Sequence, residues 1–85
     1  MSTLGAVQYR LGQLDDAEQN LRRAVALSPD GESLYFLARV LVDRNQAADA
    51  KQTVASLQAA IEGPGFFLLR DEAKDWVATA ALLVE

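Results

Sequence analysis

The chain repeats a pattern of small and apolar residues after 33 positions. The matching pairs are Leu4 and Leu37, Gly5 and Ala38, Gly12 and Asn45, Ala17 and Ala50, and Leu21 and Val54. A period of about 20–50 residues is typical of solenoids, in which each unit buries its apolar face by stacking on its neighbours. Because such arrays present extended binding surfaces, the repeat constrains function as well as fold.

Within each unit the apolar residues recur every three or four positions, which predicts helices and not strands. The four stripes are Leu4, Val7, Leu11 and Leu14; Ala17, Leu21, Ala24, Val25 and Leu27; Leu34, Leu37, Ala38, Leu41 and Val42; and Ala47, Ala50, Val54, Leu57 and Ile61. A further stripe between Leu69 and Val84 predicts a fifth helix.

The predicted helix ends coincide with residues that interrupt helices. Gly12 and Asn45 hold equivalent turn positions, where a positive φ is expected. Pro29 ends the second helix, because proline lacks an amide donor and disfavours helix at the preceding residue. Asp15, followed three positions later by Glu18, resembles a capping box, so Asp15 is predicted to cap that helix.

These features predict an all-α fold of antiparallel helical hairpins in a single domain over residues 1–85. Repeat one covers about residues 1–30, and repeat two covers about 31–62. A connector at 63–67 then leads to a C-terminal helix at about 68–84. Terminal units of such arrays are expected to be atypical, and this last helix is predicted to cap the second repeat.

The first unit resembles a tetratricopeptide repeat, written W-x-x-L-G-x-x-Y, A-x-x-x-F and P over about 34 residues. The residues that carry the resemblance are Leu4, Gly5, Ala17, Leu21 and Pro29, with Tyr9 one place beyond the motif tyrosine. The second unit is more degenerate and lacks the closing proline. The resemblance implies two hairpins of a right-handed α-superhelix.

The 33-residue spacing of the repeat is not kept after the second unit. Trp76 begins an incomplete third match, but it follows Leu34 by 42 residues instead of 33. The last helix is therefore either a displaced third unit or a terminal cap. Since the first unit also lacks the few residues that normally precede Leu4, we expect the chain to be the C-terminal part of a larger protein.

The resemblance also implies a binding site, because in this family the first helix of each hairpin lines a concave groove for peptide segments. The groove positions fall on Ala6, Tyr9 and Arg10 in repeat one and on Tyr35, Arg39, Val42 and Asp43 in repeat two. Tyrosine and arginine are common at interaction hot spots. Two plainer alternatives are that Tyr9 packs between the hairpins and that Arg39 and Asp43 form a surface ion pair.

Some family members clamp a terminal carboxylate with paired asparagines and lysines. Ala6 and Arg39 stand where asparagine would be needed, and no lysine falls on the groove. That particular function is therefore not expected here.

The amino-acid composition argues against enzymatic catalysis and metal binding. The chain has no cysteine and no histidine, which removes thiolate metal sites, the best nucleophile and the commonest general base. The acidic pairs Asp15-Asp16 and Asp71-Glu72 lie where helix starts favour negative charge. We therefore expect no enzymatic activity, no cofactor and no metal site.

Net charge and hydropathy limit the classes of partner that the chain is expected to bind. A net charge of −4 disfavours nucleic acid, which requires a concentrated basic face. The longest apolar-rich stretch, Trp76–Val84, is about half of the ~20 residues that span a bilayer. No secretory signal is visible, and a cytoplasmic protein is expected, although the residues do not specify the compartment.

We therefore expect a protein–protein interaction module that binds an unknown peptide or protein in its groove. One alternative is a homodimer, because the last helix is apolar around most of its circumference. Trp76, Leu82 and Leu83 are the candidate contacts for such self-association. A second alternative is a regulatory or tethering segment of a larger enzyme.

Overall fold

The computed structural model describes residues 7–28, 30–63, 67 and 69–83, with side chains described through residue 80. Every regular element in these ranges is a helix. The first helix, α1, is described over residues 7–10. The others are α2 at Leu14–Leu27, α3 at Gly31–Asp43, α4 at Ala47–Glu62 and α5 at Arg70–Leu83. The predicted all-α class of helical hairpins is confirmed.

Helix α3 is the centre of the packing, because it contacts α2, α4 and α5. Its buried residues are Gly31, Ser33, Leu34, Tyr35, Phe36, Leu37, Ala38, Val40 and Leu41. The outer helices α2 and α4 each bury a single stripe, namely Ala17, Leu21 and Ala24, and Ala50, Val54 and Leu57. A helix with neighbours on several sides must be apolar around more of its circumference than one with a solvent face.

The small residues of the repeat pattern lie in the core. Ala17, Ala38 and Ala50 have no exposed surface, and neither do the larger Leu21 and Leu57 beside them in the sequence pattern. Small side chains let helix backbones approach, and larger ones fill the remaining space at the density of a protein interior. The repeat thus encodes alternating volumes as well as apolarity.

The two inter-helix turns are the same structure, 33 residues apart. Gly12 has φ +80° and Asn45 has φ +59°, as the sequence predicts. After Gly12, the amide of Gln13 donates to the carbonyl of Gln8 at 2.8 Å. After Asn45, the amide of Gln46 donates to the carbonyl of Leu41 at 2.9 Å. Both are Schellman motifs, which satisfy the last carbonyls of a helix around one left-handed residue.

The predicted capping box at Asp15 and Glu18 is wrong. Helix α2 starts at Leu14, so Asp15 lies inside the first turn, and Gln13 at the N-cap makes no side-chain capping bond. Asp15 instead accepts a hydrogen bond from Arg44, and Glu18 accepts from Arg22 at 2.9 Å. Asp15 thus joins α2 to the turn after α3, and Glu18 pairs with a residue one turn along α2, so neither acid caps the helix.

The capped helix is α3. The Asp30 carboxylate accepts a hydrogen bond from the Ser33 amide at 2.8 Å, as an N-cap does. Asp30 follows directly in the sequence on Pro29, the residue predicted to end the second helix, and α2 ends at Leu27. Pro29 itself lies outside the described residues.

Helix α5 begins at Arg70, two residues after the predicted start at about 68. Leu69 belongs to a turn, in which the Arg70 amide donates to the Phe67 carbonyl at 3.2 Å. The Phe67 ring is buried against Gly31, where a Cβ atom would lie 2.4 Å from it. This ring therefore packs the connector onto the start of α3, and only glycine at position 31 leaves room for it.

Candidate functional site

Four polar side chains from three helices meet in what we call the tyrosine–arginine cluster: Tyr9 of α1, Tyr35 and Arg39 of α3, and Glu72 of α5. The Arg39 Nε donates to the Tyr9 hydroxyl at 3.1 Å, and Arg39 Nη1 donates to the Tyr35 hydroxyl at 2.7 Å. The Tyr35 hydroxyl donates in turn to Glu72 Oε2 at 2.7 Å. The cluster therefore joins the first helices of both repeats to the last helix.

The two tyrosine rings also hold the Arg39 guanidinium by cation–π contact. Its central carbon lies 5.2 Å from the Tyr9 ring centroid and 5.4 Å from that of Tyr35. Such contacts favour arginine over lysine, because the planar guanidinium can lie against rings while its N–H groups donate. Arg39 is thus fixed in one orientation, and its side chain is 31% exposed.

Aromatic side chains support the cluster from below and beside it. Tyr35 packs on Phe36 with 5.2 Å between ring centroids and meets Trp76 of α5 edge-on at 5.9 Å. Phe36 also lies 6.3 Å from Tyr9, and exposed Arg10 lies over the Phe36 ring at 5.9 Å. Edge-to-face aromatic pairs of this kind add specific geometry to the burial of apolar area.

The structure brings most of the predicted groove residues together but changes their roles. Tyr35 has no exposed surface, so it supports Arg39 and offers no area of its own to a partner. Tyr9 is half-buried between α1 and α3, as the packing alternative anticipates. Among the described residues Arg39 pairs with Glu72, at 3.9 Å, and not with Asp43 as the alternative anticipated. Ala6 lies outside the described residues.

Glu72 is the site residue that sequence reasoning missed. Its position in the first turn of α5 suits the positive end of a helix dipole, and this local role explains it fully in a sequence. Only the docking of α5 on α3 brings it to Tyr35, 37 residues away along the chain. Because the repeat period slips before α5, no equivalent residue in the earlier units indicates that placement.

Both tyrosines are held in the neutral form. Burial is the main cause that raises the pKa of Tyr35 to about 12, and the hydrogen bond to Glu72 acts in the same direction. Burial also raises the pKa of Tyr9, with a further contribution from the Asp43 carboxylate. Arg39 opposes the shift at both sites, because a nearby cation favours the phenolate.

A spectroscopic titration tests this arrangement directly, since Tyr9 and Tyr35 are the two tyrosines of the chain. We expect tyrosinate absorbance in the native protein to rise only above pH 10, and Tyr35 to titrate near pH 12. In strong denaturant both should titrate at about 10. Because the native state binds these protons more tightly, the free energy of unfolding should fall as the pH rises from 10 towards 12. Native titration at the ordinary value would contradict the cluster.

A second group of charged residues joins α2 to the α3–α4 turn and to α4. Arg22 pairs with Glu18 at 2.9 Å and with Asp49 at 3.1 Å. Glu18 also accepts a hydrogen bond from Gln46 at 2.9 Å and lies 3.4 Å from Arg44. Partly exposed pairs of this kind contribute about 0.2–1 kcal/mol each, so the group adds only modestly to the contact between the two repeats.

The candidate self-association residues lie on α5. Trp76 is half-buried against Tyr35, and the side chains of Leu82 and Leu83 fall outside the described residues. A shallow depression of about 260 Å³ opens between α4 and α5. Its lining residues are Gln58, Ile61, Glu62, Lys74, Val77 and Ala78.

Among the described residues, no group of three or more acidic side chains is placed to hold a metal ion. None of the helices in that part of the chain combines the length and the hydropathy needed to cross a membrane.

The hairpins, their paired turns and the cluster across their first helices define a helical-repeat scaffold. A family model for the tetratricopeptide repeat matches residues 8–64. The chain belongs to the tetratricopeptide repeat family. Repeats of this family generally mediate protein–protein interaction and are not themselves catalytic. Searches of curated proteins and of solved structures found no significant match.

Proposed function

We propose that the chain is a protein-interaction module that binds a peptide or protein partner along the face formed by α1, α3 and α5. The observation that carries the proposal is Arg39, which is partly exposed and yet held by two tyrosines on two helices. An arginine whose orientation is already fixed loses little side-chain entropy when a partner binds. It can therefore contribute more to affinity than a mobile surface arginine.

The surroundings of Arg39 support the same proposal. Tyr9 flanks it from α1, the adjacent Arg10 lies over the Phe36 ring, and Asp43 follows it by one helical turn on α3. Tyrosine and arginine are enriched at binding hot spots, where rigid aromatic area surrounds a small number of polar contacts. The buried Tyr35 positions Arg39 from beneath, so the partner meets Arg39, Tyr9 and Arg10 directly.

Selection from a displayed random-peptide library tests the proposal. Selected peptides are expected to lose at least about thirtyfold in affinity for Arg39→Ala, since removal of a hot-spot arginine costs about 2 kcal/mol or more. Arg23→Ala is the matched control, because Arg23 is an exposed arginine on α2, away from the cluster. Circular dichroism of each variant verifies that it folds, and Arg39→Lys separates loss of charge from loss of the fixed orientation.

Two results would overturn the proposal. One is the absence of any peptide enriched over background, and the other is equal binding to wild type and Arg39→Ala.

The depression between α4 and α5, with its apolar residues Ile61, Val77 and Ala78, favours the homodimer as a second candidate. Sedimentation of the same wild-type samples decides that candidate, because a monomer throughout the micromolar range excludes it.

A further inference from the structure

Glu72 is hydrogen-bonded to only one member of the tyrosine–arginine cluster. This partial bonding indicates what kind of partner the site can accept. Tyr35 donates a good hydrogen bond to the Glu72 carboxylate at 2.7 Å, but Arg39 Nη1 lies 3.9 Å from it, too far for a hydrogen bond. The Glu72 side chain is 54% exposed. A carboxylate therefore already lies at the edge of the site, but the arginine holds it only loosely.

Arg39 retains donors for a better-placed anion. A guanidinium has five N–H groups, and the hydrogen bonds of Arg39 to Tyr9 and Tyr35 use two of them. In the part of the chain that the structure describes, the side-chain hydrogen bonds of Arg39 come from Nε and Nη1, and none comes from Nη2. A guanidinium with a free edge matches a carboxylate, which can accept two parallel N–H bonds.

We infer that the site takes an acidic side chain of the partner and that Glu72 occupies its place in the free protein, an inference that rests on the proposed protein-binding function. Glu72 turns into solvent, where it is already half exposed, and this uncovers the otherwise buried Tyr35 hydroxyl. The incoming carboxylate then accepts from Arg39 and from that hydroxyl. Glu72 is thus a built-in competitor that lowers affinity and selects against partners without an acid.

The charged side chains near the site determine how strongly it attracts an anionic partner. Arg39 and Arg10 are the nearby cations, and Glu72 and Asp43 are the nearby acids. The pairs balance, so no general attraction draws any anion to this face. Selectivity comes instead from replacing one carboxylate by another, and removing the charge of Glu72 should strengthen binding.

The experiment uses the whole chain and two arrays of one random-peptide set, one with amidated and one with free C-termini. We expect peptides with Asp or Glu to dominate on both arrays and Arg39→Ala to abolish that preference. For one acidic peptide, Glu72→Gln should bind about two- to fivefold tighter, the range that an exposed ion pair of about 0.4–1 kcal/mol corresponds to. Asp75→Asn, which removes the same charge from an exposed position on α5, should leave the affinity near that of wild type.

Four other results would each contradict the inference, and each would lead to a different conclusion. Arg39-dependent peptides without acidic preference would leave the protein-binding function standing but exclude this partner chemistry. Binding confined to free C-termini would show that the carboxylate is a chain terminus and not a side chain. Unchanged or weaker binding by Glu72→Gln would make Glu72 part of the binding surface instead of a competitor. If neither array binds, the inference fails, and the display selection decides the proposed function separately.

Discussion

Leu21→Ala is expected to lower the free energy of unfolding by about 2–5 kcal/mol, because it removes three buried carbons and leaves a cavity in a close-packed core. Leu21 lies on α2, has no exposed surface and belongs to the hydrophobic core. A domain of 85 residues has a total stability of roughly 4–13 kcal/mol, so the variant should be largely unfolded at moderate urea. Urea denaturation followed by circular dichroism measures the change.

Leu27→Ala is the matched control for that experiment. It makes the same substitution on the same helix, but Leu27 is 75% exposed. We expect a change within about 0.5 kcal/mol, as for surface substitutions in general. Equal effects of the two substitutions would show that α2 does not pack through the Leu21 face.

Ala50→Leu should destabilise the chain by about 1–3 kcal/mol or more, because the added methyl and methine groups have no space to enter. Ala50 is fully buried on α4, at the position that repeats Ala17 after 33 residues. A leucine there separates α4 from the helices on which it packs. Thermal and urea unfolding of the variant measure the loss.

Ala48→Leu provides the comparison, since Ala48 is exposed two residues earlier on the same helix. Alanine and leucine differ little in helix propensity, so this variant should keep wild-type stability to within about 0.5 kcal/mol. A stable, cooperative Ala50→Leu protein would mean that the small residues of the repeat are not required for helix approach.

The repeat architecture follows from local physics, which is why the sequence predicted it well. Apolar spacing of three and four residues can be satisfied only by a helix that buries one face. Gly12 and Asn45 tolerate a positive φ, so two equivalent turns could be located from residue type alone. The family model agrees with this assignment over residues 8–64.

The capping prediction that proved wrong concerns a residue type that can make either of two local interactions. An acid near a helix start can cap the backbone or pair with a cation, and sequence spacing does not distinguish the two. Asp15 pairs with Arg44, because the turn between α3 and α4 brings that arginine to the start of α2. The choice depends on how two hairpins stack, which is a long-range property.

The sequence by itself determined the helices, the turns between them, the small residues of the core and the tetratricopeptide family. It also placed Tyr35 and Arg39 on one helix face, since they are four residues apart. Only the tertiary structure decided that Tyr35 is buried, that Arg39 lies between two tyrosine rings and that Glu72 reaches them from α5. The physical reason is that periodicity and turn chemistry act over a few residues. The contacts of the site join residues 30 and 37 positions apart, and the longer one crosses the connector where the repeat loses its period.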